Sequence, residues 1–278
     1  MINQVREKAR ELLVKGEVQC VIGWETGTDG KNARPAFIYD AKDADRLVFD
    51  ATCWHNLTRF LRDRKGKKTG IVVKPCDSRA INLLINESQL ARQDVYIIGV
   101  VCPGAGVTPE KLSARCASCR QHVPVVYDVL LGTPPAGQPS APWPDVNEME
   151  KKDPAARRAF WEDQFSRCLR CYACRQACPG CYCQECFVDQ VDPQWTGPRI
   201  APAENEVWNI IRAFHLAGRC VSCGACEQAC PVNIPLMLLN RKLEKDALAD
   251  FGFEAGLSAE AKAPFATFKK EEKLEGAY

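Results

Sequence analysis

The chemistry of this sequence is concentrated in its cysteines, and their spacing says more than their number. Two runs have the form Cys-x2-Cys-x2-Cys-x3-Cys-Pro: Cys168, Cys171, Cys174, Cys178 and Pro179, then Cys220, Cys223, Cys226, Cys230 and Pro231. They form an internal repeat, Arg-Cys-Leu-Arg-Cys-Tyr-Ala-Cys-Arg-Gln-Ala-Cys-Pro against Arg-Cys-Val-Ser-Cys-Gly-Ala-Cys-Glu-Gln-Ala-Cys-Pro. Three thiolates three residues apart can wrap one corner of an iron–sulfur cubane as a loop, and this spacing is that of [4Fe–4S] ligation. Structural zinc fits poorly, because its sites take paired Cys-x2-Cys units or include histidine. Cys174, Cys178 and Cys181 have the radical-SAM spacing, but they lie inside the first run and no repeated βα barrel pattern follows them.

This half of the chain resembles the bacterial two-cluster ferredoxin domain, in which the fourth cysteine of each run ligates the other cluster. The resemblance implies a cluster A on Cys168, Cys171, Cys174 and Cys230, and a cluster B on Cys220, Cys223, Cys226 and Cys178. The chain departs from that pattern by an insertion over 179–219, which opens with Cys181-Tyr182-Cys183-Gln184-Glu185-Cys186. Cys181, Cys183 and Cys186 are candidates for an additional site, a fourth cluster or a zinc ion, or for replacing a conventional ligand; plain buried thiols are the alternative. Arg167, Arg170 and Arg175 flank the first run. Positive charge near a cluster favours its reduced form, so cluster A is expected at the higher potential.

The elements that carry the remaining cysteines read as α/β. After an opening amphipathic helix, residues 18–22, 36–39 and 46–49 are strand-like, and 57–64 read as a helix. Residues 71–73 form a buried strand leading into a helix that Asp77 or Ser78 would cap, and 95–101 form a second continuous apolar strand. Strand–helix–strand implies a parallel pair with a right-handed crossover. Ligands gather at the carboxyl ends of such strands, where Cys76 and Cys102 both stand. With Cys116 and Cys119 they make four thiols for a third [4Fe–4S] cluster; zinc or unliganded core cysteines are the alternatives. Cys53 is a substitute ligand, and Cys20, alone in a strand, belongs to the core.

Lys74-Pro75-Cys76-Asp77-Ser78-Arg79-Ala80-Ile81, followed by Ile98-Gly99-Val100-Val101-Cys102-Pro103-Gly104, resembles the iron–sulfur beta subunit family of deazaflavin-coenzyme hydrogenases and formate dehydrogenases. The Pro-Cys-Asp element is also similar to the beta subunit of sulfhydrogenases and the A subunit of anaerobic sulfite reductase. The resemblance implies an iron–sulfur electron-transfer subunit of a soluble anaerobic oxidoreductase complex: a formate dehydrogenase, a hydrogenase or a heterodisulfide-reductase-like assembly. Its partners would be a catalytic subunit and a second redox protein. Some members of the deazaflavin group hold FAD, so the alternative is a flavin-bearing subunit acting on a deazaflavin or nicotinamide coenzyme. The sequence has no clear flavin signature: Gly104-Ala105-Gly106 reads as a turn, although the helix start at Asp77 could face a phosphate or a cluster. A cluster-bearing regulatory or structural module is the third reading.

Composition narrows these classes. The charges nearly balance, 37 basic against 35 acidic, which gives no field for nucleic acid. No apolar run is long enough to span a membrane, and the charged first residues do not form a signal core. A cytoplasmic protein is expected, its cysteines serving as ligands rather than disulfides. The expected fold is an α/β domain with a partly parallel sheet over 1–130, then a Pro-rich linker or partner-binding arm and lead-in helix over 131–160. A two-cluster ferredoxin-like domain with mainly helical insertions follows over 161–245, and a surface tail over 246–278. Residues 62–68 form a basic turn, read as a solvated loop. His55, His122 and His215 read as packing residues, and Trp143 as an anchor for a partner.

Overall fold

Apolar runs too continuous for a half-exposed sheet become central strands covered on both faces. The computed structural model describes residues 1–108, 111–134 and 143–266. Helix α1 (Ile2–Val14) precedes strands β1 (Val21–Thr26), β2 (Ala33–Ile38) and β3 (Leu47–Val48). Strand β4 (Thr69–Val73), helix α2 (Pro75–Asn86) and strand β5 (Val95–Val100) come next. Strands β6 (Gly106–Thr108) and β7 (Lys111–Leu112) pair with each other, and helix α3 (Ala114–Ala117) and strand β8 (Val129–Leu131) follow.

The main sheet has the order β2-β1-β4-β5-β8, with β3 also beside β1. The β1/β4, β4/β5 and β5/β8 pairs are parallel, while β2 and β3 run antiparallel to β1. The sheet is therefore partly parallel, as the strand–helix–strand pattern implies. Val73 lies opposite Gly99, which sets the carboxyl ends of β4 and β5 side by side. Residues 57–64 form a 3₁₀ helix whose Asn56 side chain accepts from the Thr58 N–H.

Helix α2 starts one turn earlier than its capping residues suggest. Lys74 is the N-cap, Pro75 takes the first helical position, and the Asp77 carboxylate accepts from the Lys74 N–H at 2.9 Å. Proline suits that position because its fixed φ is already helical and its missing N–H would be unpaired anyway.

The second half is helical: α4 (Pro144–Glu150), α5 (Pro154–Ser166), α6 (Ala173–Ala177), α7 (Pro202–His215), α8 (Ala225–Gln228) and α9 (Leu236–Phe251). Helix α6 packs on α8, and α7 packs on both α5 and α9. Every residue of α2 from Pro75 to Leu84 is buried. Ile81 and Leu84 face the sheet core, while Ala80 and Leu83 meet Val221 and Ala255 from the far half.

The stretch over 246–278 reads from its charge as a surface tail; of its described residues, those up to Phe251 complete α9 and Ala255 to Ala261 lie along α2. The Arg79 Nε donates to the Ala255 carbonyl (2.8 Å), Asn82 to that of Gly256 (3.1 Å), and Asn86 to that of Ala259 (2.7 Å). These contacts use backbone carbonyls, so side-chain polarity does not reveal them. Gly256 has φ +76°, and a Cβ there would come within 2.3 Å of the Arg79 carbonyl oxygen. Residues 267–278, and 135–142 of the proline-rich arm, lie outside the described residues.

Candidate metal centres

The two cysteine runs repeat in backbone as well as in sequence. Arg170 and Tyr172 have φ of 48° and 58°, and Ser222 and Gly224, at the same places in the second run, have 54° and 76°. Two left-handed residues in three positions curl each run into a tight loop, a conformation costly for residues that carry a Cβ. Cys168, Cys171 and Cys174 line one cavity, and Cys230 from the other run joins them there. Trp208, Ile234 and Leu236 wall it. The Arg170 N–H donates to the Cys168 sulfur at 3.5 Å and the Ile234 N–H to that of Cys230 at 3.4 Å.

Cys178, Cys220, Cys223 and Cys226 come together beside this group. Burial pushes the Cys226 thiol up to about 12, and Cys178 and Cys174 add to it. Burial also raises Cys220 and Cys223, and both feel Cys178 and Cys226. Cys178 goes the other way, to about 6, because the Cys181 thiol donates a hydrogen bond to it. Arg212 of α7 is buried in the midst of these sulfurs. Burial opposes its charge, but Cys226, Cys178, Cys181 and Cys174 outweigh that and raise its pKa. Its Nη2 donates to the Cys174 carbonyl at 3.1 Å, and its Nε is buried with no acceptor among the described residues.

The α/β half builds a third group. Cys76 in the first turn of α2, Cys102 just past β5, and Cys116 of α3 line one cavity with Lys74, Arg115 and Trp54, and Cys223 reaches it from the second run. Cys119 lines the adjoining cavity with Cys76 and Arg115. Burial raises the Cys76 thiol to about 12 and Cys102 to about 11. Burial works against the Lys74 ammonium and the Arg115 guanidinium too. Asp77, Cys76 and Cys102 nevertheless raise Lys74, and Cys76, Cys116 and Cys119 raise Arg115. Cys53 is fully buried, with its thiol 3.9 Å from the Val48 carbonyl oxygen, and Cys20 is buried in the sheet core.

This donor set fits thiolate-held iron. All 17 cysteines are free of disulfides. Burial holds Cys76, Cys102, Cys174, Cys220, Cys223 and Cys226 in the thiol form, whereas a coordinating metal deprotonates a thiol outright. Each group also has a buried cation to offset the resulting charge, and the orphaned Arg212 Nε points to an acceptor that the described residues do not supply. Among the described residues no three Cys, His, Asp or Glu side chains close to the distance of a single metal ion. A cubane is wider than one ion, and its thiolates stand correspondingly further apart.

Cys181, Cys183 and Cys186 line a separate cavity with His215, and Arg62 of the basic turn reaches in beside them. The turn is thus partly docked rather than solvated: the Arg62 Nη1 donates to the Cys181 carbonyl at 3.4 Å. His122 sits 2.9 Å from the Cys102 carbonyl oxygen, and His55 stacks on Trp54. Arg212, the cation nearest the ferredoxin-like cysteines, escaped the sequence reading because it is remote from both runs. Its signal was helical spacing: Asn205, Asn209 and Arg212 form a buried polar stripe on α7.

The 4Fe-4S binding domain family matches residues 216–235, which span the second run. Over 88% of its length the chain is 22% identical to the F420-dependent formate dehydrogenase subunit beta of Methanocaldococcus jannaschii, covering 89% of that protein. It is 25% identical to F420-dependent formate dehydrogenase 1 subunit beta of Methanococcus maripaludis, with 90% of this chain and 89% of that one aligned. The chain resembles these beta subunits over about nine-tenths of its length. The likeness takes in the α/β half as well as the iron–sulfur motif, and no described helix is long and apolar enough to cross a membrane.

Proposed function

We propose that the chain is the iron–sulfur electron-transfer subunit of a formate dehydrogenase complex, relaying electrons between a catalytic subunit and a second redox protein in the cytoplasm. The observation that carries this is the meeting of Cys168, Cys171 and Cys174 with Cys230, a cysteine 56 residues beyond Cys174 in the other run. Cys168, Cys171, Cys174 and Cys230 would hold cluster A, Cys220, Cys223, Cys226 and Cys178 cluster B, and Cys76, Cys102, Cys116 and Cys119 a third. Bound [4Fe–4S] clusters supply reversible one-electron storage. The chain's own residues hold the iron through thiolates, shield it from water with Trp208, Ile234 and Leu236, and offset its charge with Arg212, Arg115 and Lys74.

The test is anaerobic. These three sites account for about twelve irons in the purified chain, and a count well below that would refute the three-site reading. Formate plus the co-produced catalytic subunit should bleach its iron–sulfur absorbance. Cys168→Ser and Cys230→Ser should remove the same paramagnetic signal, and Cys220→Ser a different one. Loss of one signal by Cys230→Ser together with Cys220→Ser would refute the crossed sets.

A flavin-bearing subunit that handles a deazaflavin is the second reading, favoured by one feature. A cavity of about 220 Å³ adjoins Cys76 and Cys119, and its wall holds Arg79, Arg115, Arg120, Arg241 and Trp143 against two carboxylates, Glu244 and Glu254. That lining suits an anionic, ring-bearing coenzyme. Flavin released from the anaerobically purified chain in stoichiometric amount would decide for this reading.

A further inference from the structure

The insertion cysteines belong to none of the three sets above, yet the fold holds them in one place. Cys181, Cys183 and Cys186 line a cavity of about 260 Å³ whose opposite wall is His215, in the last turn of α7. The loop that carries them has no regular secondary structure, but it is pinned at Tyr182. That ring lies between the guanidinium groups of Arg62 (5.6 Å) and Arg219 (5.1 Å), and its hydroxyl donates to Glu87. Arg219 is itself bound to Glu87, Nη2 to Oε2 at 2.9 Å. Cys181 and Cys183, on either side of the pinned residue, are thereby fixed against α7.

The charge of the cavity is the second observation. Arg62, Arg175, Arg212 and Arg219 all line it, against the single carboxylate of Asp189. Arg175 is paired with Asp189 at 2.7 Å and Arg219 with Glu87, which leaves the buried Arg212 and the half-buried Arg62 to face the thiols, a balance that suits an anionic metal–thiolate centre. The third observation is location: the Cys181 N–H donates to the Cys178 carbonyl at 3.3 Å, so the cavity abuts the residue assigned to cluster B.

We propose that Cys181, Cys183 and Cys186 hold a fourth [4Fe–4S] cluster with His215 as its fourth ligand. A zinc ion is the lesser fit, because among the described residues no three such side chains close to single-ion distance. The proposal rests on the iron–sulfur reading above, in which Cys178 belongs to cluster B. It turns a linear set of centres into a branched one, with a second outlet beside cluster B.

The experiment is a count of iron, acid-labile sulfide and zinc in the anaerobically purified full chain, with electron paramagnetic resonance after reduction. About sixteen irons per chain are expected. The double variant Cys183→Ser/Cys186→Ser should lose about four while leaving the other signals in place. His215→Gln should shift one midpoint potential and leave the iron count unchanged or lower it by about four, touching no other signal. About twelve irons, unaltered in the double variant, would overturn this proposal and leave the three-site reading standing. One zinc per chain, lost in the double variant, would also overturn it. About eight irons would overturn both readings. Because the count is made first on the unaltered chain, a variant that fails to fold cannot hide the answer.

Discussion

Replacing Arg79 with methionine should loosen the joint between the two halves of the molecule. Arg79 and Glu244 are only 6% and 8% exposed, and their Nη2 and Oε1 stand 3.4 Å apart. Arg79 also meets Glu254 at 3.1 Å and donates to the Ala255 carbonyl at 2.8 Å. Methionine fills much of the same volume but leaves Glu244 buried with only the Ser222 hydroxyl, 2.6 Å away, as partner. Removing one member of a buried ion pair costs about 3–5 kcal/mol. At about 2–4 °C per kcal/mol for a chain of this size class, the apparent melting temperature should fall by roughly 6–20 °C. The assay is an anaerobic thermal scan of cluster-loaded protein at one fixed rate, since unfolding that releases iron is irreversible. Arg120→Met is the control: its pair with Glu254 is 40% and 20% exposed, so it should cost under about 1 kcal/mol. Adding Glu244→Leu to Arg79→Met should recover part of the loss, because no buried charge is then left alone. A shift of less than about 2 °C for Arg79→Met, or an equal one for Arg120→Met, would refute the reasoning.

Three further outcomes are expected. Arg212→Met removes the cation among Cys174, Cys178 and Cys226 and should lower a ferredoxin-like midpoint potential in a redox titration; unchanged potentials would show that this charge does not reach the iron. Gly224→Ala has room, its nearest neighbour being the Arg115 Cδ at 3.5 Å, so only the φ of +76° opposes it; it should cost about 1–2 kcal/mol in thermal stability. His55 is held down to about 4 by burial and by the Lys74 ammonium, against an ordinary 6.5. Between those values the unfolded chain takes up a proton that the folded chain refuses, so stability falls as pH drops from about 6.5 to 4. His55→Gln should flatten that stretch by no more than about 2 kcal/mol, and an unchanged slope would assign the loss to other groups.

Much of this molecule was legible because its signals are local. The cysteine runs state their chemistry by spacing alone, and 71–73 and 95–101 declare themselves as buried strands by continuous apolarity. Cys76 and Cys102 line one cavity because parallel strands share a carboxyl edge, a placement that strand order alone implies. What escaped was non-local or carried by backbone. Arg212 reaches the sulfurs from α7, a helix whose register no cysteine spacing fixes. The lie of residues 252–263 on α2 depends on carbonyl oxygens that every residue type possesses. The left-handed turns at Tyr172 and Arg170 sit on residues that do not advertise them, whereas Gly224 does. The docking of Arg62 onto the insertion loop needed a partner 119 residues away.

The strip that covers α2 also bears on the order in which the protein is made. Arg79 bonds to a residue 176 positions downstream, and Asn82 and Asn86 reach comparably far. A ribosome delivers the sheet and Cys76 long before it delivers Ala255 and Gly256, and contacts of such separation form late because loop closure must come first. The wall beside Cys76 therefore stays open until residues 255–259 have been made. A metal centre in the α/β half would have a wide window for delivery during synthesis, and the segment after α9 would act as the latch that ends it.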